Sequence, residues 1–185
     1  MRDVFITADH HFGHTNILRF CNRPFPNIYE HDKELIKRWN SLISKDALIY
    51  YVGDLMFRNA KHPLYYKEKL NGEIKIIRGN HDKQKVLKEF EWYQNLPIII
   101  GEFTCLLNHR PCYRPDAPDP FHDNDVNVNP MNYDFIISGH THKFPLFRWK
   151  SLNVGVDLHD FYPLHMDQVY ALLTQRKKEL ENGFS

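Results

Sequence analysis

The sequence predicts an α/β protein built on layered sheet. Short apolar runs of strand length alternate with amphipathic helical segments, the pattern of strands covered by helices. Five of those runs are followed within a few residues by aspartate, asparagine or histidine. A chain of 185 residues with 42% hydrophobic and 25% charged residues has enough apolar material for one sizeable core, and it is excluded from the wholly disordered class.

The elements follow in order. Val4 and Ile6 alternate with Phe5 and Thr7, a strand over 3–8 that runs into Asp9. Over 28–44, Leu35, Ile36, Trp39, Leu42 and Ile43 recur at helical spacing, with Asn27 and Glu30 as a capping pair. Ala47 to Val52 reads as a buried strand that stops at Gly53-Asp54. Helical character over 60–70 ends at Asn71-Gly72, and Glu73 to Ile77 is the next strand, ending at Arg78-Gly79-Asn80-His81-Asp82. A short helix reaches about Phe90. Pro97 to Gly101 and Phe103 to Leu107 are strands, the second leading to Asn108-His109. Phe135 to Ile137 leads to Gly139-His140-Thr141-His142, and Leu152 to Val156 is the last strand. A helix over 166–181 closes at Gly183. These elements are expected to form one domain over 1–185. The irregular stretch 111–132, with five prolines and four aspartates, is either a lid near the site or a surface loop.

Charge and cysteine content narrow the classes. Lys plus Arg is 24 and Asp plus Glu is 23, a net +1, which fits poorly with strong non-specific nucleic-acid binding. No apolar run approaches the ~18 residues of a membrane helix, and the apolar part of the N-terminus is too short for a signal peptide. Cys21, Cys105 and Cys112 contain no C-x-x-C pair and read as reduced thiols. A cytoplasmic location is the expectation; the oligomeric state is left open.

The 12 histidines stand out. Ligand-type residues follow five strands: Asp9 and His11; Asp54; Asn80 and His81; His109; His140 and His142. The intervals of 45, 26, 29 and 31 residues between them each accommodate one strand-and-return unit. In layered α/β folds ligands gather beyond the carboxyl ends of the strands. The donors fit two divalent ions: Asp9, His11 and His142 for one, Asn80, His109 and His140 for the other, and Asp54 as a bridge. Imidazole, carboxylate and amide donors without cysteine suit Mn, Fe, Zn, Co or Ni, with manganese the first expectation. Two aspartates leave two such ions an excess of positive charge, which favours a bound hydroxide and an anionic substrate such as a phosphate ester.

The blocks D-x-H (Asp9, His11), G-D (Gly53, Asp54), G-N-H-D (Gly79 to Asp82), a lone His109 and G-H-x-H (Gly139 to His142) stand in one order over residues 9–142. That order resembles the calcineurin-like metallophosphoesterase superfamily. The opening Asp9-His10-His11-Phe12-Gly13-His14-Thr15-Asn16 and the later Asn153-Val154-Gly155-Val156-Asp157 are similar to a small bacterial and phage branch of it. The resemblance implies a four-layer α/β/β/α sandwich of two mixed sheets with a dinuclear site at its edge, and the same metal assignment. It implies His81 as the general acid on the leaving oxygen, with Asp82 orienting it; Asp82 as a helix cap is the plainer alternative. A metal-bridging hydroxide would attack phosphorus in line.

Five further residues are candidates for substrate contact: His14 and Asn16 after the first ligands, Arg19 and Arg23 as phosphate forks, and Arg110 beside His109. Solvated surface charge is the competing reading of each arginine. His10 is expected to point away from the site, and Asp157 either orients a ligand histidine or serves a turn. His31, His62, His122, His159 and His165 read as surface or capping residues. The function this predicts is a phosphodiesterase on a small or nucleotide-like ester. A phosphomonoesterase or protein phosphatase, a nuclease and a metal-free scaffold are the rivals.

Overall fold

The computed structural model describes residues 2–57, 60–112, 129–143 and 145–183. Most of the irregular stretch 111–132, and His122 with it, lies outside the described residues. Its end forms a single 3-10 turn, Pro130–Asn132, capped by the Asn129 side chain.

Two five-stranded sheets make the frame. The first places β1 (Val4–Thr7), β2 (Leu48–Tyr51), β3 (Glu73–Ile77) and β4 (Glu91–Tyr93) side by side in parallel, with β10 (Leu164–His165) antiparallel on the free edge of β1. The second runs β5 (Leu96–Ile100), β6 (Phe103–Leu107), β7 (Phe135–Ser138), β9 (Ser151–Asn153) and β8 (Phe147–Arg148), parallel through β6, β7 and β9 and antiparallel at both edges. Pro97 is tolerated in β5 because that strand is an edge. The helices are α1 (Thr15–Phe20), α2 (Ile28–Leu42), α3 (Pro63–Lys69), α4 (Gln84–Leu87) and α5 (Met166–Glu181).

Alternation along the strands divides the core in two. Phe5, Ile49, Tyr51, Ile74 and Ile76 point to one face, where Leu35 and Trp39 of α2, Tyr66 of α3 and Val86 of α4 cover them. Ile6, Val52 and Ile77 point to the other face and meet Phe103, Cys105, Leu107, Phe135, Ile137 and Leu152 of the second sheet. Val169 and Leu173 of α5 enter that second core. The expected α/β sandwich of two mixed sheets is therefore the architecture found.

The long elements match the sequence reading, and Asn27 caps α2 by accepting from Glu30 N at 2.9 Å. The departures are short pieces. α1, β4, β8 and β10 have two to six residues each, too few for periodicity to register. The strand expected to reach Val156 stops at Asn153, and Val156–Leu158 turns as a 3-10 helix instead.

The parallel strands of both sheets deliver their carboxyl ends to one seam. An isolated parallel bridge, Ala8 to Gly155, ties the sheets there. Trp39 is fully buried under the first sheet, and its indole N–H donates to Asn71 O at 2.9 Å. Trp39→Ala is expected to cost about 3–5 kcal/mol, read as a lower urea midpoint at an unchanged slope.

Candidate metal centre

Five of the seven expected ligands leave their strands through an unusual backbone conformation. Asp9, His11, Asp54, His140 and His142 all have positive φ, between 45° and 71°. Left-handed backbone costs a non-glycine residue energy and clusters at functional sites. Two glycines admit the crowding. A Cβ on Gly79 would sit 2.3 Å from Asp54 Oδ1, and one on Gly139 would sit 2.6 Å from Asp9 Oδ2.

Asp54 is the centre. Its Oδ1 accepts from His81 N at 2.8 Å. Its Oδ2 has three imidazole Nε2 atoms around it, from His109 at 3.3 Å, His11 at 3.6 Å and His81 at 4.0 Å. Asp9, His11 and His142 bring donor atoms within 4.8 Å of one another, and so do Asp54, His109 and His140. His11, Asp54 and His81 form a third such group between them. Asn80 joins the second side, its Oδ1 3.0 Å from His109 Nε2. The structure thus draws all seven expected ligands into the seam.

Their second atoms are fixed from outside. His109 Nδ1 donates to Val52 O at 2.8 Å, and His142 Nδ1 meets Asp157 Oδ2 at 2.8 Å, so each turns Nε2 inward. Asp9 Oδ2 accepts from His140 N at 2.8 Å. Asp9 Oδ1 and both ring nitrogens of His11, by contrast, are buried without a hydrogen-bond partner. Buried polar atoms go unpaired only at a cost of a few kcal/mol. An orphaned carboxylate oxygen and imidazole within a donor group free of thiolates fit a divalent cation.

The protonation pattern follows from crowding. Burial pushes the Asp9 carboxyl up to about 6, against the pull of His142 and His109. For Asp54 burial acts in the same direction but is outweighed by His109, His11 and His81, which hold it well below the carboxylate range. Burial would depress His109, yet Asp54 lifts it to about 9. His142 is likewise carried past its burial penalty by Asp157, to about 10. Burial and the neighbouring His109 take His140 down to about 4.

Three expectations change. Asp82 does not orient His81. Its buried carboxylate accepts from Asp54 N at 2.8 Å, Leu55 N at 3.0 Å and Gly79 N at 2.9 Å, the nearest donors to it, so it shapes the Asp54 turn. Arg23 is no open phosphate fork: its side chain is buried and bonded to protein acceptors. His31 is not on the surface; it is fully buried, between Arg23 and Asp32. His10 does point away, its Nδ1 2.9 Å from the Tyr51 hydroxyl.

The remaining candidates lie at the rim or beyond it. His14 stacks on Phe57 with centroids 3.9 Å apart and stands 5.4 Å from the His11 ring. Phe57 gave no signal in the sequence, because a stacking partner has no motif. Asn16 and Arg19 are exposed on α1, Arg19 lying over the Phe20 ring. Arg110 lines a cavity of about 410 Å³ with Arg78, Gly79, Asn80, Gln94, Asn108 and His109. Asp157 was legible as a ligand-orienting carboxylate, and Cys21 beside His142 was not.

Two mixed sheets whose strand ends converge on a carboxylate and imidazole pair of donor groups define an α/β protein with a candidate two-metal centre. The chain belongs to the calcineurin-like phosphoesterase superfamily, whose domain description it matches over residues 3–156. It is 33% identical over 188 residues to an uncharacterized protein of Methanocaldococcus jannaschii, covering 96% of this chain and 94% of that one. It is 32% identical over 112 residues to the gene 66 protein of Mycobacterium phage L5, covering 59% of this chain and 51% of that one. The solved structure of a protein of unknown function from Aquifex aeolicus shares the fold, with a TM-score of 0.75 at 24% identity over 93% of this chain and 100% of that one. Among the described residues no helix is long and apolar enough to cross a membrane.

Ligation requires neutral imidazole, while His109 and His142 carry protons up to about 9 and about 10 in the metal-free centre. If these residues hold metal, loading at neutral pH is expected to displace about two protons per chain. Affinity for Mn²⁺ is expected to rise from pH 6 to pH 8. Calorimetry in buffers of differing ionisation enthalpy counts the protons; a pH-independent affinity without release contradicts the assignment.

Proposed function

We propose that the chain is a two-metal phosphoesterase, and within that class a phosphodiesterase acting on a small or nucleotide-like ester. The observation that carries the reading is the pair of donor groups meeting at Asp54, with Asp9 Oδ1 and the His11 ring left unpaired in the dry centre. Asp9, His11 and His142 would hold one ion, Asn80, His109 and His140 the other, and Asp54 would lie between them. Manganese suits this oxygen and nitrogen donor set first, with Fe, Zn, Co and Ni as the other fits. When bound, such a pair supplies a more acidic water and neutralises charge on the phosphoryl oxygens.

The chain's own residues account for the rest of the chemistry. Attack of water on phosphorus breaks the ester P–O bond, and the departing alkoxide needs a proton. His81 is half-buried, with its backbone N–H anchored on Asp54 and its ring at the open side of the centre. Burial lowers its pKa, with His109 and Lys83 adding to the effect against Asp54. That makes the imidazolium a stronger acid while reducing the protonated fraction at neutral pH. His14, held by the Phe57 face, and the rim groups Asn16, Arg19 and Arg110 are proposed as substrate contacts. The cavity lined by Arg78 and Arg110 beside His109 gives a second ester arm room, which favours a diester. One domain over 1–185 and a cytoplasmic location complete the proposal.

After chelation and reloading with Mn²⁺, turnover of bis-p-nitrophenyl phosphate is expected to exceed that of p-nitrophenyl phosphate. A reversed preference would make the protein a monoesterase; no metal-dependent turnover of either, nor of any nucleotide ester, would overturn the enzymatic reading. Asp54→Asn is expected to lose metal from both sides. His81→Ala is expected to keep its metal and lose about 10²–10⁴-fold in kcat on alkyl esters, and less on nitrophenyl esters, whose leaving group needs little proton help.

A further inference from the structure

The turn after α1 sends Arg23 into the interior, beneath the loop that carries Asp9 and His11. Its side chain is 0% exposed, and each of its five N–H donors has a partner. Nε donates to Asp157 Oδ1 at 2.8 Å, and Nη2 donates to Asp157 Oδ2 at 2.7 Å, a two-pronged fork. Nη2 also reaches Asp9 O at 2.7 Å. Nη1 reaches His10 O at 2.7 Å and His31 Nε2 at 2.8 Å.

This accounting fixes the neighbours. His31 Nε2 must accept from a permanently charged guanidinium, so the proton of His31 sits on Nδ1, which donates to Asp32 Oδ1 at 2.8 Å. Asp32 in turn accepts from Gly13 N and from the Tyr66 hydroxyl. The two carbonyls that Arg23 holds belong to the peptide units joining Asp9 to His10 and His10 to His11. They lie on the stretch where Asp9 and His11 are left-handed, at φ 63° and 53°. The fork also aims Asp157, whose Oδ2 takes His142 Nδ1 at 2.8 Å. One buried cation thus reaches all three residues of the Asp9, His11 and His142 group.

The second group has separate supports. His109 leans on Val52 O, and the Asp54 turn is held by Asp82. None of those bonds involves Arg23.

We infer that Arg23 is a positioning residue for one of the two metal sites, the Asp9, His11 and His142 site, and that its guanidinium fork makes the two sites separable in affinity. The inference rests on the two-metal reading proposed above. A lysine keeps the charge but offers three donors from one atom, so it cannot satisfy two carbonyls, His31 and both Asp157 oxygens together.

The test is Mn²⁺ titration of the chelator-stripped full chain, followed by calorimetry and electron paramagnetic resonance, where two neighbouring ions give a coupled spectrum and a lone ion an uncoupled one. The wild type is expected to bind two ions. Arg23→Lys is expected to bind one with wild-type affinity and the other about 10–100-fold more weakly, leaving an uncoupled spectrum at sub-saturating metal. Asp157→Asn, which keeps the shape and removes the charge, is expected to weaken the same ion. Thermal melts of the stripped variants show whether each is folded. Two ions at wild-type affinity in Arg23→Lys, equal weakening of both ions, or loss of fold in both variants would overturn the inference and leave the two-metal reading standing. A wild type that takes up fewer than two ions would overturn that reading itself, and this one with it.

Discussion

The organising constraint is the desolvation of Asp54. A carboxylate 2% exposed at the meeting of two sheets is expensive to bury charged. Here it stays charged because His109, His11 and His81 surround one of its oxygens. His81 N and the Asp82-braced turn fix the other side. Much else follows from keeping that arrangement dry and close: the positive φ at five ligand positions, Gly79 packed against the carboxylate, and the carbonyl of Val52 turned to orient His109. The strain is local; the scaffold that supports it is two conventional apolar cores.

Stability and chemistry are divided between those cores and the seam. The helix-covered face of the first sheet carries Trp39, Tyr51 and Tyr66, large side chains that are fully buried. The inter-sheet core carries mostly aliphatics, with Phe103 and Phe135 among them. The ligand turns leave both sheets where parallel strands end, so each ligand is within two to four residues of a fixed backbone. This is how flexible imidazoles come to be placed closely without a metal-binding helix.

Much of this was legible in the sequence, because the ligand blocks lie immediately after strands whose apolar patterns are strong. The order Asp9, Asp54, Asn80, His109, His140 survives folding as spatial convergence. What was not legible depended on contacts between distant segments. Arg23 and Asp157 are 134 positions apart, and from sequence alone an arginine just after the first ligands reads as a phosphate fork or as surface charge. His31 read as a surface or capping residue because a histidine in an amphipathic helix usually is; its burial is sustained by Arg23 on one ring nitrogen and Asp32 on the other. Asp82 directly follows His81, yet adjacency in the chain turns the two side chains apart, and its carboxylate finds backbone amides. The two-residue strands β8 and β10 carry no periodicity of their own and exist because an edge needed covering.

Each of the two proposed sites draws on both sheets. Asp9 and His11 follow β1 while His142 follows β7; Asp54 follows β2 while His109 follows β6 and His140 follows β7. Neither sheet alone therefore completes either proposed site, although the first sheet by itself gathers His11, Asp54 and His81. A chain with only one sheet in place would hold part of each proposed site, so under the two-metal reading full loading would require both sheets docked in register. Metal content would then report on correct assembly: under the two-metal reading, a chain that has misjoined its sheets would take up fewer than two ions.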